Sequence, residues 1–156
     1  MASVMVRRQN VPRAPLTRAQ TERVVESLLA RERLPATVEI SILFADNETI
    51  QELNRDYRGI DAPTDVLSFP LHTRAELEAA DDEAEVLLGD VVVSVDRARE
   101  QAREQGHSLS QEVALLLAHG VLHLVGYDHG SPEEAERMRE AERQVLAGAA
   151  YLDRAR

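Results

Sequence analysis

The chain contains no cysteine. Disulfide staples and thiolate metal sites are therefore excluded, and any transition-metal site must be built from histidine and carboxylates. Tryptophan is also absent and aromatics make up 3% of the residues, so the core has to be aliphatic, drawn from the many Leu, Val and Ala. There is no lysine; every basic residue is arginine. The planar arginine fork suits bidentate phosphate contacts, although codon bias gives the same composition with no functional meaning. No apolar run approaches the ~20 residues that a membrane-spanning helix needs. The opening MASVMVRRQN lacks the charged-then-apolar order of a signal peptide, and a cytoplasmic protein is expected.

What is present fits one globular domain, residues 1–156, with an ordered core over about 17–148. The composition is 44% hydrophobic and 29% charged, which is that of a folded chain and not of a disordered one. The formal charge of −10, from 28 acidic and 18 basic residues, argues against indiscriminate binding of nucleic acid. The charge is uneven. Residues 1–33 hold seven Arg and three Glu, and residues 76–90 hold seven acids and no base.

Periodicity and capping signals order the elements. Residues 3–8 suit a short first strand. Thr17 can cap a helix to about Arg33, with Val24, Val25, Leu28 and Leu29 on its buried side and Pro35 stopping it. TVEISILF, residues 37–44, alternates as a strand does. Asp46 or Asn47 then caps a short helix holding Ile50, Leu53 and Tyr57, which ends near Gly59. The loop RGIDAPTD leads into a brief strand, VLSFP, and the acidic stretch 71–85 reads as a mobile loop. LLGDVVVSV, residues 87–95, is the clearest strand and is long enough to be central. Asp96 caps a helix to about Gln105, closed by Gly106. Ser110 begins the most apolar helix, which Gly126 closes. Ser131-Pro132-Glu133-Glu134 opens a last helix to about Ala147. Strands interspersed with about five helices give a sheet of the α/β or α+β kind, with the helix at 110–125 packed at its centre.

The chemistry is concentrated in HGVLHLVGYDH, residues 119–129. His119 and His123 are four apart and share one helix face. Gly126 can take the left-handed conformation that ends a helix, and the returning chain can bring His129 to the same point. Three neutral nitrogens leave a fourth tetrahedral position for water, the layout of a catalytic zinc site. Three of the five histidines of the chain fall within these eleven residues. Separate structural roles would leave three imidazoles each needing its own partner. The spacing equals that of the metzincin protease signature, His-Glu-x-x-His-x-x-Gly-x-x-His, except that Gly120 stands where those proteases carry their general base. The metal geometry survives this change; peptide hydrolysis loses its proton acceptor.

HGVLHLVGYDH, together with LNRDYRGIDAPTDVLSFP at 53–70 and LGDVVVSVDRA at 88–98, resembles the YbeY family of bacterial rRNA maturation factors, described as metal-dependent, single-strand-specific endoribonucleases. The resemblance spans about residues 37–147. It implies a small α+β domain with a mixed sheet and several helices, zinc ligands at His119, His123 and His129, and a functionally important arginine at Arg58. It further implies processing of the 16S rRNA 3′ end, a part in ribosome quality control, and ribosomal or small-subunit partners.

Other residues carry two readings each. Arg58 can clamp a phosphate and offset developing charge, or it can serve as a cation at a helix C-terminus. Arg55 and the arginines of the first 33 residues complete the expected basic patch for RNA. Thr64, Asp65 and Ser68 can line a cleft, Asp65 equally capping a turn and both hydroxyls being expected in structural roles. Asp128 can orient an imidazole or cap the Gly-Tyr-Asp turn. Asp90 is expected to be a structural hydrogen-bonder, and His72 and His107 to lie at the surface. A bound zinc would lower the pKa of water, polarise a phosphoryl oxygen, or both. Water and the RNA 2′-hydroxyl stay open as nucleophile. Two other functions remain: a ribosome-assembly protein with a structural zinc, and a metal hydrolase acting on another substrate.

Overall fold

Alternation builds the sheet. Val38, Ile40, Ile42 and Phe44 are buried on one face of a single strand, the period of two that a strand with one core face requires. The computed structural model describes residues 2–34 and 37–150. These form four strands, β1 (Ala2–Gln9), β2 (Thr37–Ala45), β3 (Val66–Pro70) and β4 (Glu85–Ser94), and six helices, α1 (Arg18–Glu32), α2 (Asn47–Arg58), α3 (Arg74–Ala79), α4 (Val95–Gln105), α5 (Leu109–Leu124) and α6 (Pro132–Gly148). The sheet order is β1-β2-β4-β3. β1 and β4 run parallel to β2, and β3 runs antiparallel to β4. The result is a single α+β domain with a mixed sheet. No helix among the described residues is long and apolar enough to cross a membrane.

One face of the sheet carries the main core. α5 enters it with Val113, Ala114, Leu117, Ala118, Val121 and Leu122 fully buried, and it packs on α1, α4, α6, β3 and β4. The opposite face is only partly covered. There α2 buries Ile50 over Ala45, Leu67 and Val92, with Leu43, Leu53 and Phe69 packed beside them. Tyr57, on the same helix, is 70% exposed and lies edge-on to Phe69, so it belongs to the rim.

Most boundaries follow the capping signals. Thr17 caps α1 through a reciprocal box with Gln20, Asp46 caps α2, and Ser131 caps α6 with Pro132 in its first turn. The α1 helix ends at Arg33, which takes a left-handed conformation; the stop expected from Pro35 lies outside the described residues. Two caps sit earlier than expected. Ser94 caps α4 and Ser108 caps α5, where Asp96 and Ser110 had the sequence signal. Asp96 instead accepts from the Asn47 backbone N–H at 2.9 Å and ties α4 to α2.

The stretch 71–85 is not a structureless loop. Thr73 and Glu76 form a capping box, each side chain accepting the backbone N–H of the other, and this nucleates α3. The box satisfies two of the N-terminal donors that a six-residue helix leaves unpaired. Leu77 anchors α3 in the core.

Candidate metal centre

The site is made where α5 leaves the core. His119 and His123 occupy the one side of the helix that the sheet and α6 leave accessible, both partly buried. Val125 caps the helix and Gly126 follows at φ +104°, a conformation that costs an L-residue with a side chain strain. The Tyr127 N–H then returns to the Leu122 carbonyl at 3.0 Å. This tight reversal delivers His129, and one ligand nitrogen from each of His119, His123 and His129 lies within 4.8 Å of the others. The turn is braced from outside. Arg74 of α3 donates to the Val125 carbonyl at 3.0 Å and to Glu32 at 2.7 Å, and the Tyr127 hydroxyl donates to the other Glu32 oxygen at 2.9 Å. Arg31 also pairs with Glu32. The Glu32 side chain is 3% exposed, a buried charge that is stable only because it is multiply paired.

Hydrogen bonds fix the imidazole orientations. Nδ1 of His123 lies 2.9 Å from the Tyr127 carbonyl, and Nδ1 of His119 lies 2.6 Å from a Glu142 carboxylate oxygen. Both partners are acceptors, so each Nδ1 donates to its partner and each Nε2 is the ring nitrogen left facing the site. These two Nε2 atoms face each other at 3.1 Å. Burial, and then the neighbouring His119, hold the pKa of His123 below the usual imidazole range, which favours the neutral, ligating form. Two Nε2 atoms turned to one point beside a third imidazole make a donor set suited to a cation. The spacing fits the ~2.0–2.1 Å Zn–N bonds of a His₃ centre, so the donor set can hold a metal.

Around the three rings lies an open cleft of about 660 Å³. Arg58, Thr64, Asp65, Ser68, His72 and Asp128 line it with them. Arg58 is exposed at the last turn of α2, which places a guanidinium on the cleft wall. Asp65 accepts from Gln101 at 3.2 Å, and its carbonyl accepts the Ser94 N–H at 2.8 Å, so it fastens the start of β3 to α4. Ser68 donates to the Gly120 carbonyl at 2.8 Å and fastens β3 to α5. Asp128 accepts the His129 backbone N–H at 2.7 Å and so shapes the turn; among the described residues it makes no hydrogen bond to an imidazole.

Other expected residues lie elsewhere. Arg55 is exposed, bonded to Asp56 at 3.2 Å, and outside the cleft lining. The N-terminal arginines do not form a patch beside the site. β1 is the sheet edge opposite β3, and there Arg8 donates to the Val11 and Pro12 carbonyls and Arg18 to the Val4 carbonyl. Of that group Arg31 reaches the site, through the Tyr127 hydroxyl at 2.9 Å. Asp90 is exposed on the outer sheet face, and its carboxylate has no hydrogen-bond partner among the described residues. His72 is at the surface as expected, but His107 is largely covered, its side chain 9% exposed, with Nε2 2.5 Å from Glu112. The buried carboxylate at the start of α5 needs a partner, and the preceding loop supplies it.

Gly120 explains the break with the protease pattern. A Cβ placed there would lie 2.6 Å from Val91 Cγ1, 3.1 Å from Val66 and 3.2 Å from Ser68. Position 120 lies tight against β3 and β4, which leaves no room for the side chain of a general base. Gly120→Ala is expected to lower stability by about 1–3 kcal/mol through overpacking, read as a fall in the denaturant midpoint at unchanged slope. An unchanged midpoint would mean that helix and sheet are not in this contact.

Comparison with known proteins gives a consistent result. The family profile described as Endoribonuclease YbeY matches residues 6–150. A protein named Endoribonuclease YbeY from Thermoanaerobacter sp. (strain X514) is 48% identical over 132 residues, covering 81% of this chain and 83% of that one. One of the same name from Geobacillus kaustophilus (strain HTA426) is 47% identical over 128 residues, covering 81% and 82%. The solution structure of TM1509 from Thermotoga maritima aligns with a TM-score of 0.57 at 28% identity, covering 92% of this chain and 90% of that one.

Proposed function

The chain belongs to the YbeY endoribonuclease family, and from that premise we propose that it cuts single-stranded RNA at one zinc ion per chain held by His119, His123 and His129. It is an endoribonuclease, and so a hydrolase acting on RNA. The observation that carries the zinc reading is the pair of Nε2 atoms facing each other at 3.1 Å beside a third imidazole in an open cleft. When bound, such an ion supplies a Lewis acid for a phosphoryl oxygen and acidifies water.

The chain itself supplies position and charge. Tyr127 and Glu142 keep the Nε2 atoms of His123 and His119 turned to one point. Arg58, on the cleft wall, grips the scissile phosphate with its planar fork and offsets the charge gained in the transition state. Asp65 and Ser68 line the path of the strand while holding β3 in place. Single-strand specificity follows the family resemblance, and unpaired RNA is the form whose backbone and bases a protein cleft can reach together.

The physiological substrate we propose is 16S rRNA, in 3′-end maturation and ribosome quality control in the cytoplasm, as the family resemblance implies. The charge of −10 supports a presented substrate. A chain repelled by RNA at large gains from partners on the small ribosomal subunit that bring the strand to it. The test is a cleavage assay with zinc-loaded protein on a 5′-labelled hairpin carrying a single-stranded 3′ tail. Cuts confined to the tail and loop are expected. Equal cutting of the duplex stem, or cleavage of peptide or ester substrates and not of RNA, would overturn the reading.

A further inference from the structure

The two helical ligands of the centre are held by unlike acceptors. His123 is held locally, by the neutral carbonyl of Tyr127 in the turn that ends its own helix. His119 is held from a distance, by the charged carboxylate of Glu142 on α6. Glu142 is out of pattern for its helix. Met138, Ala141 and Val145 form the buried stripe of α6, and Glu142 lies on that stripe, four residues after Met138, with its side chain 14% exposed. The two acids that precede it by six and two residues pair with arginines on the solvent side: Glu136 with Arg139, and Glu140 with Arg143. Among the described residues Glu142 has no arginine partner and makes one side-chain hydrogen bond, with the His119 ring.

We propose that Glu142 is a positioning residue that sets the metal affinity of the centre by acting through His119. This rests on the zinc reading given above. A carboxylate on Nδ1–H does two things that a carbonyl does less well. It fixes the tautomer that leaves Nε2 free, and its negative charge raises the basicity of that nitrogen toward a cation. It also makes α6, which supplies no ligand, part of the metal site. A packing role for Glu142 would affect melting of the fold; a positioning role affects zinc affinity and the His119 tautomer in a chain that melts normally.

The experiment measures zinc affinity by competition with a chromophoric chelator for wild type, Glu142→Gln and Glu142→Ala, with ¹⁵N spectra of the His119 ring in metal-free protein. Glu142→Ala is expected to bind zinc about 10–100-fold more weakly and to lose the single Nδ1–H tautomer at His119. Glu142→Gln should fall between, because its amide oxygen still accepts the hydrogen bond without the charge. Cleavage by both should recover as zinc is raised. Should the alanine variant misfold, the near-isosteric glutamine variant decides alone. Zinc affinities within about threefold of wild type in both variants, with the His119 tautomer unchanged, would overturn the proposal and leave the zinc reading standing. A wild type that binds no zinc would overturn both, and wild-type protein alone reveals that outcome.

Discussion

His123→Ala is expected to take bound zinc from one ion per chain to near none and RNA cleavage to background. The loss should be on the order of 10³-fold or more, the scale of removing a preorganised stabiliser of transition-state charge. His123 is central to the donor set. Its Nε2 faces His119 at 3.1 Å, its ring sits 5.1 Å from that of His129, and its Nδ1 is tied to the turn that carries His129. The substitution should leave the fold intact. The main core lies on the other side of α5, and the hydrogen bond removed is worth about 1 kcal/mol. Metal analysis and a cleavage assay on the same preparation check this. Full zinc content in the variant would show that the three rings do not share one ion.

Arg58→Glu is expected to reduce cleavage by about 10³-fold, the scale seen when an arginine that stabilises a transferring phosphoryl group is lost, while zinc content stays near one per chain. The two effects separate because Arg58 lines the cleft from α2 and the ligands come from α5 and the turn after it. The site is at the surface, so reversing this charge should shift stability little. Arg58→Lys should fall between wild type and the glutamate variant, since it keeps the charge and loses the fork. Single-turnover kinetics with metal analysis give the answer, and unchanged cleavage by Arg58→Glu would remove this residue from the mechanism.

These expectations depend on features that differ in how visible they are in the chain. The clustering of the three imidazoles is legible because helix geometry is periodic: four residues return to the same face, and Gly126 marks the reversal that brings His129 back. The strands and most helix starts are legible for the same local reasons, through alternation at 38–44 and side-chain caps at Thr17, Asp46 and Ser131. What could not be read is set by tertiary packing. Glu142 lies 23 residues from His119, and on α6 it looks like one more surface acid. Only the packing of α6 against α5 turns it inward. His107 looks like a loop residue until Glu112 is buried beside it. Arg7, Arg8 and Arg18 look like an RNA patch until the strand order places β1 at the far edge.

Two misreadings have local causes. The acidic composition of 71–85 hides the Thr73–Glu76 box, a start signal that composition alone does not register. Asp96 and Ser110 are good capping residue types, but the chain turns two residues earlier in each case and uses Ser94 and Ser108. The absence of a base at position 120, by contrast, is legible only as a departure from the protease pattern. Its reason, that α5 touches β3 and β4 there, becomes visible once the sheet is assembled.

Under the proposed function, the ion at these three imidazoles serves the reaction and does not hold up the fold. The direct test is to strip the protein with a chelator and follow circular dichroism and cleavage of single-stranded RNA together, then add zinc back. The fold rests on a core of sheet and helices that does not pass through the site, so the spectrum is expected to persist while cleavage stops and returns with one equivalent of zinc. Undiminished cleavage by the stripped protein, or a fold that melts with the metal, would contradict it.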